Sequence, residues 1–216
     1  PRPVNGKKKR SRSWGTDAHA YKGTQPYFNY PRILGPERAG DLIEADRADG
    51  FVPGEALTLI PYFNCEKCIA CRNGKPNCCA NIKVFGVHID GGMQEYISVP
   101  SYSLVKSEGL GYEELALVEP LAIGAHGVRR ANIAKDEFVL VMGAGPIGLG
   151  TMQFAAIAGA KVIALDINET RLQFCREKLK VGYIINAATE DVFTRLHEIT
   201  AGDMPTVVID ATGNRK

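Results

Sequence analysis

A glycine-rich turn between two apolar segments constrains the fold of this chain most. Gly143, Gly145 and Gly148 open a segment with helical periodicity, and they follow an apolar run from Phe138 to Met142. In such a turn the first glycine permits a tight bend, the second lets a phosphate group approach the backbone, and the third lets helix and strand pack closely. The pattern predicts a strand–turn–helix unit that binds a dinucleotide, with a purely structural glycine turn as the alternative.

Apolar runs alternate with amphipathic helical patterns from this turn to Lys216. The alternation predicts right-handed βαβ units and a parallel sheet of about four strands, against roughly six in a complete doubly wound fold. We therefore expect the domain to be cut short. Asp166 ends the second of these strands, where an acid accepts hydrogen bonds from ribose hydroxyls and repels a 2′-phosphate. NAD is thus expected rather than NADP, unless Asp166 is only the surface end of a strand.

Five cysteines are crowded into the segment "CEKCIACRNGKPNCC". Cys65, Cys68 and Cys71 have two-residue gaps, which let successive thiolates converge on one tetrahedral ion, and a fourth ligand can return after the Gly-Lys-Pro turn. This spacing predicts a closed structural zinc site, and it leaves open whether Cys78 or Cys79 is the fourth ligand. Disulfides are the alternative, although five crowded cysteines would leave one of them unpaired.

The first half of the chain differs from the second in its periodicity. Residues 32 to 106 contain many glycines, prolines and short β-type runs, which predicts a β-rich domain of short strands. The basic run from Lys7 to Arg12 lacks apolar alternation, so we expect a solvated terminal arm there. Because the net charge is only +2, nucleic acid is not expected as a partner, and a zinc knuckle that binds it is a weak alternative.

The chain shows neither a membrane span nor a secretory signal in its sequence. Its apolar runs are shorter than the roughly 18 residues that a span requires, and polar residues follow the basic run where a signal would be apolar. We therefore expect no membrane partner and a cytoplasmic location. The first residue is Pro1, not methionine, so we expect that the true beginning is missing.

Together these motifs resemble the zinc-containing medium-chain alcohol dehydrogenases, and most closely their polyol, sugar-acid and threonine dehydrogenase branch. The resemblance extends from about Asp17 to the last residue and includes "GGMQEY", "VEPLAIGAHGVRRA" and "DATGN". It implies a GroES-like β-rich catalytic domain over residues 1–118, with a structural zinc lobe at about 62–82, followed by a truncated Rossmann domain over 119–216. It also selects Cys79 as the fourth structural ligand.

The resemblance further implies an enzyme that transfers hydride between NAD and a small alcohol or polyol, with a second, catalytic zinc. Thr16 and His19 match the hydroxyl and the imidazole of a proton relay, and Asp17 lies between them. Glu37 and Glu119 match acidic residues at or near the catalytic metal, although Glu119 could simply be a solvent-facing charge at a helix N-terminus. Full-length relatives are expected to be homo-oligomers. The residues that match the NAD site are Gly143, Gly145, Pro146, Ile147, Gly148, Asp166 and Arg171.

Two positions depart from the family pattern. Trp14 and Pro36 stand where the family has a cysteine and a histidine that bind the catalytic zinc. Two carboxylates and water suit hard cations better than zinc, so we expect tight zinc binding there to be lost and activity to be impaired. Departures clustered in residues 1–56 favour an incomplete or error-bearing version of an active dehydrogenase over a decayed paralogue. A non-catalytic, zinc-stabilised NAD-binding or interaction module is the alternative function.

Overall fold

The computed structural model describes residues 3–11, 15–24, 26–35, 38–44 and 50–213. The chain forms two compact units, Pro1–Glu119 and Pro120–Lys216. Antiparallel strands dominate the described part of the first unit. Its elements are β1 (Pro3–Ser11), α1 (Gly15–Tyr21), β2 (Arg38–Glu44), β3 (Ala56–Leu59), β4 (Tyr62–Phe63), α2 (Ile69–Arg72), β5 (Lys83–Val84), β6 (Tyr96–Pro100), β7 (Leu104–Lys106) and α3 (Tyr112–Leu115).

Five of these strands form one sheet in the order β6-β1-β2-β3-β7, and β4 pairs with β5 in a separate two-stranded sheet. Alternate residues of a strand point to the same side of a sheet. In the larger sheet the residues on one of the two sides are apolar. The core of this unit is a cluster of buried aliphatic and aromatic side chains: Val4, Leu42, Leu57, Leu59, Phe63, Phe85 and Val99. The β-rich fold expected for the first half is confirmed.

The expectation of a solvated arm at Lys7 to Arg12 is wrong for residues 7–11, because residues 7–11 belong to β1. This strand pairs with β2 on one side and with β6 on the other, so it lies inside the sheet. Val4 is 1% exposed and anchors the strand in the core. Arg12 lies outside the described residues.

Carboxylates lie beside the basic side chains of β1. The Nζ atoms of Lys7 and Lys9 are 3.9 Å from Glu95 and 3.2 Å from Asp41, respectively. Arg10 donates a hydrogen bond of 2.7 Å to Glu113. Backbone pairing holds the strand while these side chains meet acids at the surface, so apolar alternation is not needed along its whole length.

The second unit is a parallel α/β layer. Its elements are α4 (Val118–Ala131), which begins at the end of the first unit, β8 (Phe138–Met142), α5 (Pro146–Ile157), β9 (Lys161–Asp166), α6 (Glu169–Glu177), β10 (Tyr183–Asn186), α7 (Val192–Ile199) and β11 (Val207–Asp210). The four described strands have the order β10-β9-β8-β11 and all pair in parallel, which is the 3-2-1-4 order at the start of a doubly wound sheet. This confirms the expected fold class.

The position of β1 inside the sheet can be tested with two glycines of the β1–β2 pair. A Cβ atom on Gly40 would lie 2.5 Å from the carbonyl oxygen of Lys7, whereas one on Gly6 would lie 3.4 Å from its nearest neighbour. We expect Gly40→Ala to lower the free energy of unfolding by about 1–3 kcal/mol, the usual cost of overpacking, and Gly6→Ala to change it little. Urea unfolding followed by circular dichroism measures both; equal stability of the two variants would contradict this placement.

Candidate functional site

The three glycines of the turn after β8 have different roles in the structure. Gly143 has a φ of 94°, which L side chains rarely adopt, and a Cβ atom on Gly148 would lie 1.8 Å from the carbonyl oxygen of Gly143. These two glycines are therefore required by the fold itself. A Cβ atom on Gly145 would meet nothing within 4 Å in the described part of the chain. Gly145 thus leaves open space directly at the start of α5.

The N-terminus of α5 is available to a ligand. Gly145 is its N-cap residue with no side-chain cap among the described residues, and Pro146 occupies the first helical position. The first N–H groups of a helix have no partner within the helix, and they carry the positive end of its dipole. Ile147 and Gly148 therefore present backbone N–H groups where an anion can be held.

Asp166 at the end of β9 fastens the turn to the second strand. Its side chain is 6% exposed, and Oδ2 accepts a hydrogen bond of 2.6 Å from the N–H of Ala144. Oδ1 accepts one of 2.9 Å from the N–H of Asn168, and Arg171 lies 3.9 Å from Oδ2. A carboxylate has about four lone-pair sites, so both oxygens can still accept a hydroxyl. The structure thus brings Asp166, Arg171 and the glycine turn together.

Four of the five crowded cysteines converge. The sulfur atoms of Cys65, Cys68, Cys71 and Cys79 lie within 4.8 Å of one another, and those of Cys68 and Cys71 are 3.4 Å apart. A tetrahedral site with Zn–S bonds of about 2.3 Å has sulfur–sulfur distances of about 3.8 Å, so this cluster fits a zinc ion. Cys78 is exposed, and its sulfur accepts a hydrogen bond from Asn77 instead.

Local backbone geometry builds this cluster. The helix α2 begins directly after Cys68, and Cys71 lies within it. A short 3-10 helix at Pro76–Cys78 then turns the chain back, and Cys79 follows it. The gap between the third and fourth sulfurs is therefore closed by two short helical turns.

Hydrogen-bond donors surround the sulfur atoms. Cys79 accepts bonds of 3.3 Å from the N–H groups of Cys65 and Asn81, and Cys71 accepts one of 3.6 Å from the side chain of Asn64. Such donors favour the thiolate, which is the form that binds metal. The cysteine spacing did not reveal the two asparagines, although each lies within two residues of a ligand candidate.

The thiols of the cluster have pKa values that are shifted in opposite directions. The backbone N–H groups of Lys67 and Cys68 lower the pKa of Cys65 to about 6. The N–H of Cys65 acts in the same direction on Cys79, but desolvation and the neighbouring thiols of Cys65 and Cys71 outweigh it and raise the pKa of Cys79 to about 11. Four thiolates at this distance therefore need a cation between them.

The proposed relay residues lie on α1. Both Thr16 and His19 belong to this helix, and the side chain of Thr16 lies outside the described residues. His19 is exposed, and its Nδ1 lies 3.2 Å from the Oγ1 of Thr24. Asp17 is buried and accepts a hydrogen bond of 3.2 Å from the N–H of Gly35. Thr24 is a contact of the site that no sequence motif indicates.

Glu119 lies in the first turn of α4 and is partly buried. Tyr62 donates a hydrogen bond of 3.1 Å to its Oε1. Desolvation raises the pKa of Glu119, and the bond from Tyr62 partly opposes that shift. The carboxylate of Glu119 thus has a tyrosine of β4 as its partner, and it is not simply a solvent-facing charge. Trp14, Pro36 and Glu37 lie outside the described residues, so the second metal site stays a prediction.

Two family models match the chain. Residues 8–109 match the alcohol dehydrogenase GroES-like domain, and residues 146–216 match the zinc-binding dehydrogenase family. Among the helices that the structure describes, none is long and apolar enough to cross a membrane.

Two relatives with similar sequences support the same family. The chain is 43% identical over 203 residues to L-galactonate-5-dehydrogenase of Escherichia coli K12, which covers 93% of this chain and 59% of the relative. It is 35% identical over 183 residues to L-idonate 5-dehydrogenase of Vitis vinifera, with coverages of 81% and 50%. The chain thus spans between 50% and 59% of the length of these relatives.

A solved structure has the same fold. It is an alcohol dehydrogenase (rspB) from E. coli CFT073 complexed with NADH, with a TM-score of 0.87 and 32% sequence identity over 98% of this chain and 62% of the other. Both family models, the sequence identity and the fold lead to one conclusion. The chain belongs to the zinc-containing medium-chain alcohol dehydrogenase family.

Proposed function

We propose that the chain belongs to an NAD-linked dehydrogenase that acts on a secondary hydroxyl of a sugar acid or polyol. The observation that carries this proposal is the open space at Gly145, in front of α5 and beside the buried carboxylate of Asp166. The two relatives whose names include L-galactonate and L-idonate support a sugar-acid substrate. In this proposal residues 1–118 form the GroES-like domain, with the zinc lobe at about 62–82, and residues 119–216 belong to the NAD-binding domain.

The turn would hold the dinucleotide through backbone groups. Ile147 and Gly148 would donate their N–H groups to the pyrophosphate at the positive end of α5. Pro146 has no N–H to leave unpaired, and it sets the backbone for the first helical turn. Asp166 would accept hydrogen bonds from the adenosine ribose, with Arg171 beside it. The bound NAD would supply the hydride acceptor.

The four clustered cysteines would hold a structural zinc. A site with four thiolate ligands has no open coordination position, so its role would be to fold the segment between Cys65 and Cys79 rather than to act on substrate. Reduced thiols are required for this, which fits a cytoplasmic location.

The remaining candidate residues would act at the substrate or hold its site in place. Thr16 and His19 would form the proton relay, with Asp17 holding α1 against the N–H of Gly35. Glu37 and Glu119 would remain at a second metal site, where Trp14 and Pro36 supply no ligand. We therefore infer that this chain is impaired in turnover while it retains its dinucleotide and structural zinc sites.

Zinc content tests the cysteine cluster. Because one four-thiolate site is intact, we expect about one zinc per purified chain. Cys79→Ser should lose this zinc and lower the stability of the lobe. Cys78→Ser is the matched control and should keep the zinc, since Cys78 is exposed outside the cluster. Atomic absorption gives the stoichiometry; loss of zinc from the Cys78 variant alone would contradict the assignment.

Dinucleotide binding tests the function itself. Gly145→Ala should fold normally, because its Cβ atom meets nothing within 4 Å, yet it would intrude where the pyrophosphate is proposed to lie. We expect NADH affinity to fall by about tenfold or more, equivalent to about 1.4 kcal/mol. Gly127→Ala on α4 is the control, because its Cβ atom also meets open space. NADH fluorescence titration measures both variants. Equal NADH affinity in the two variants is the outcome that would overturn the proposed site.

A double substitution tests the second metal site. Trp14→Cys with Pro36→His would restore a thiolate and an imidazole, so zinc should rise from about one to about two per chain. Trp14→Phe with Pro36→Ala serves as the control and should leave zinc unchanged. The unmodified chain should form no measurable NADH from L-galactonate or L-idonate. Two zinc ions in the unmodified chain, or clear turnover by it, would refute the inferred impairment.

A further inference from the structure

We propose that the hydroxyl of Thr24 sets the tautomer of His19, so that Nε2 is the ring nitrogen that accepts a proton. The inference rests on the proposed relay role of His19, and it names the atom that performs it. It makes Thr24 a positioning residue, because it would act on the reaction only through His19.

Thr24 is held against His19 by the turn that ends α1. Gly23 has a φ of 70° and donates its N–H to the carbonyl of Ala20, in the turn directly after the helix. Thr24 then donates its backbone N–H to the carbonyl oxygen of His19 at 3.0 Å. The side chain of Thr24 therefore starts from a backbone position that is fixed relative to His19.

The Oγ1 of Thr24 contacts His19 twice. It lies 3.1 Å from the carbonyl oxygen and 3.2 Å from the ring Nδ1. A carbonyl oxygen can only accept, so the hydroxyl must donate its single hydrogen there. Only lone pairs of Oγ1 then face the ring, and the second contact is a hydrogen bond only if Nδ1 carries a hydrogen. In the neutral ring this leaves the lone pair on Nε2.

This tautomer determines where a proton can be taken up. When Nε2 accepts a proton from a hydroxyl, the O–H bond breaks, its electron pair stays on oxygen, and the ring becomes an imidazolium. The Nδ1–H bond to Thr24 is the same before and after this step, so neither side chain has to rotate. Because His19 is exposed, the imidazolium can return to the neutral form by releasing a proton to water. The opposite tautomer would present an N–H at Nε2 and could not act as this base.

Nitrogen NMR of the full chain tests the tautomer directly. The protein, labelled with ¹⁵N in its 4 histidines, is measured without NAD or substrate at a pH where the ring is neutral, and His19→Gln identifies the His19 signals. We expect a protonated Nδ1 and an unprotonated Nε2 in the wild type. Thr24→Ser keeps the hydroxyl and should keep this pattern. Thr24→Val has nearly the same shape without the hydroxyl, so the pattern should shift towards protonated Nε2, the form that free histidine prefers in water.

Two results would overturn the proposal. One is a wild-type ring protonated at Nε2, which would mean that Thr24 donates to Nδ1; the other is a Thr24→Val spectrum identical to that of the wild type. Unchanged signals from the other histidines show that each variant is folded. Because no cofactor is present, failure of this test leaves NADH binding unaffected, and failure of NADH binding leaves the tautomer result standing.

Discussion

The second unit depends on the close approach between the carbonyl oxygen of Gly143 and the backbone of Gly148. A side chain at residue 148 would overlap that oxygen, since its Cβ atom would lie 1.8 Å away. This contact sets how near α5 lies to the end of β8, and Asp166 fixes the same turn from the neighbouring strand through the N–H of Ala144. The N-terminus of α5 is therefore held by contacts from β8 and from β9 and is open at Gly145, which suits the binding of an anionic group.

In the first unit, the structure of the cysteine lobe depends on the charge of its sulfur atoms. Backbone N–H groups and two asparagines point at the sulfur atoms and favour thiolates, while the sulfurs lie close enough to repel one another once charged. The raised pKa of Cys79 beside the lowered pKa of Cys65 expresses this conflict. A divalent cation at the centre would resolve it, so the lobe can be understood as a fold completed by its metal.

The sequence predicted most of the second unit because its strands, helices and glycines obey local rules. It failed at β1, where charged residues occupy a strand that is held by backbone pairing and by carboxylates from distant segments such as Asp41 and Glu113. Long-range partners of this kind leave no local pattern. The same limit hid Tyr62, which reaches Glu119 through tertiary folding. Thr24 lies only five residues from His19, but the turn that brings them together has no pattern that names this contact. The identity of the fourth clustered cysteine needed either the family resemblance or the structure, because spacing allowed both Cys78 and Cys79.

The glycine turn and Asp166 together form the candidate site for NAD. Calorimetric titration of the unmodified chain with NADH and with NADPH, in parallel, tests it most directly. We expect one NADH per chain and NADPH binding weaker by about tenfold or more, since the 2′-phosphate would lie against the carboxylate of Asp166. No binding of NADH, or equal affinity for the two dinucleotides, would contradict it.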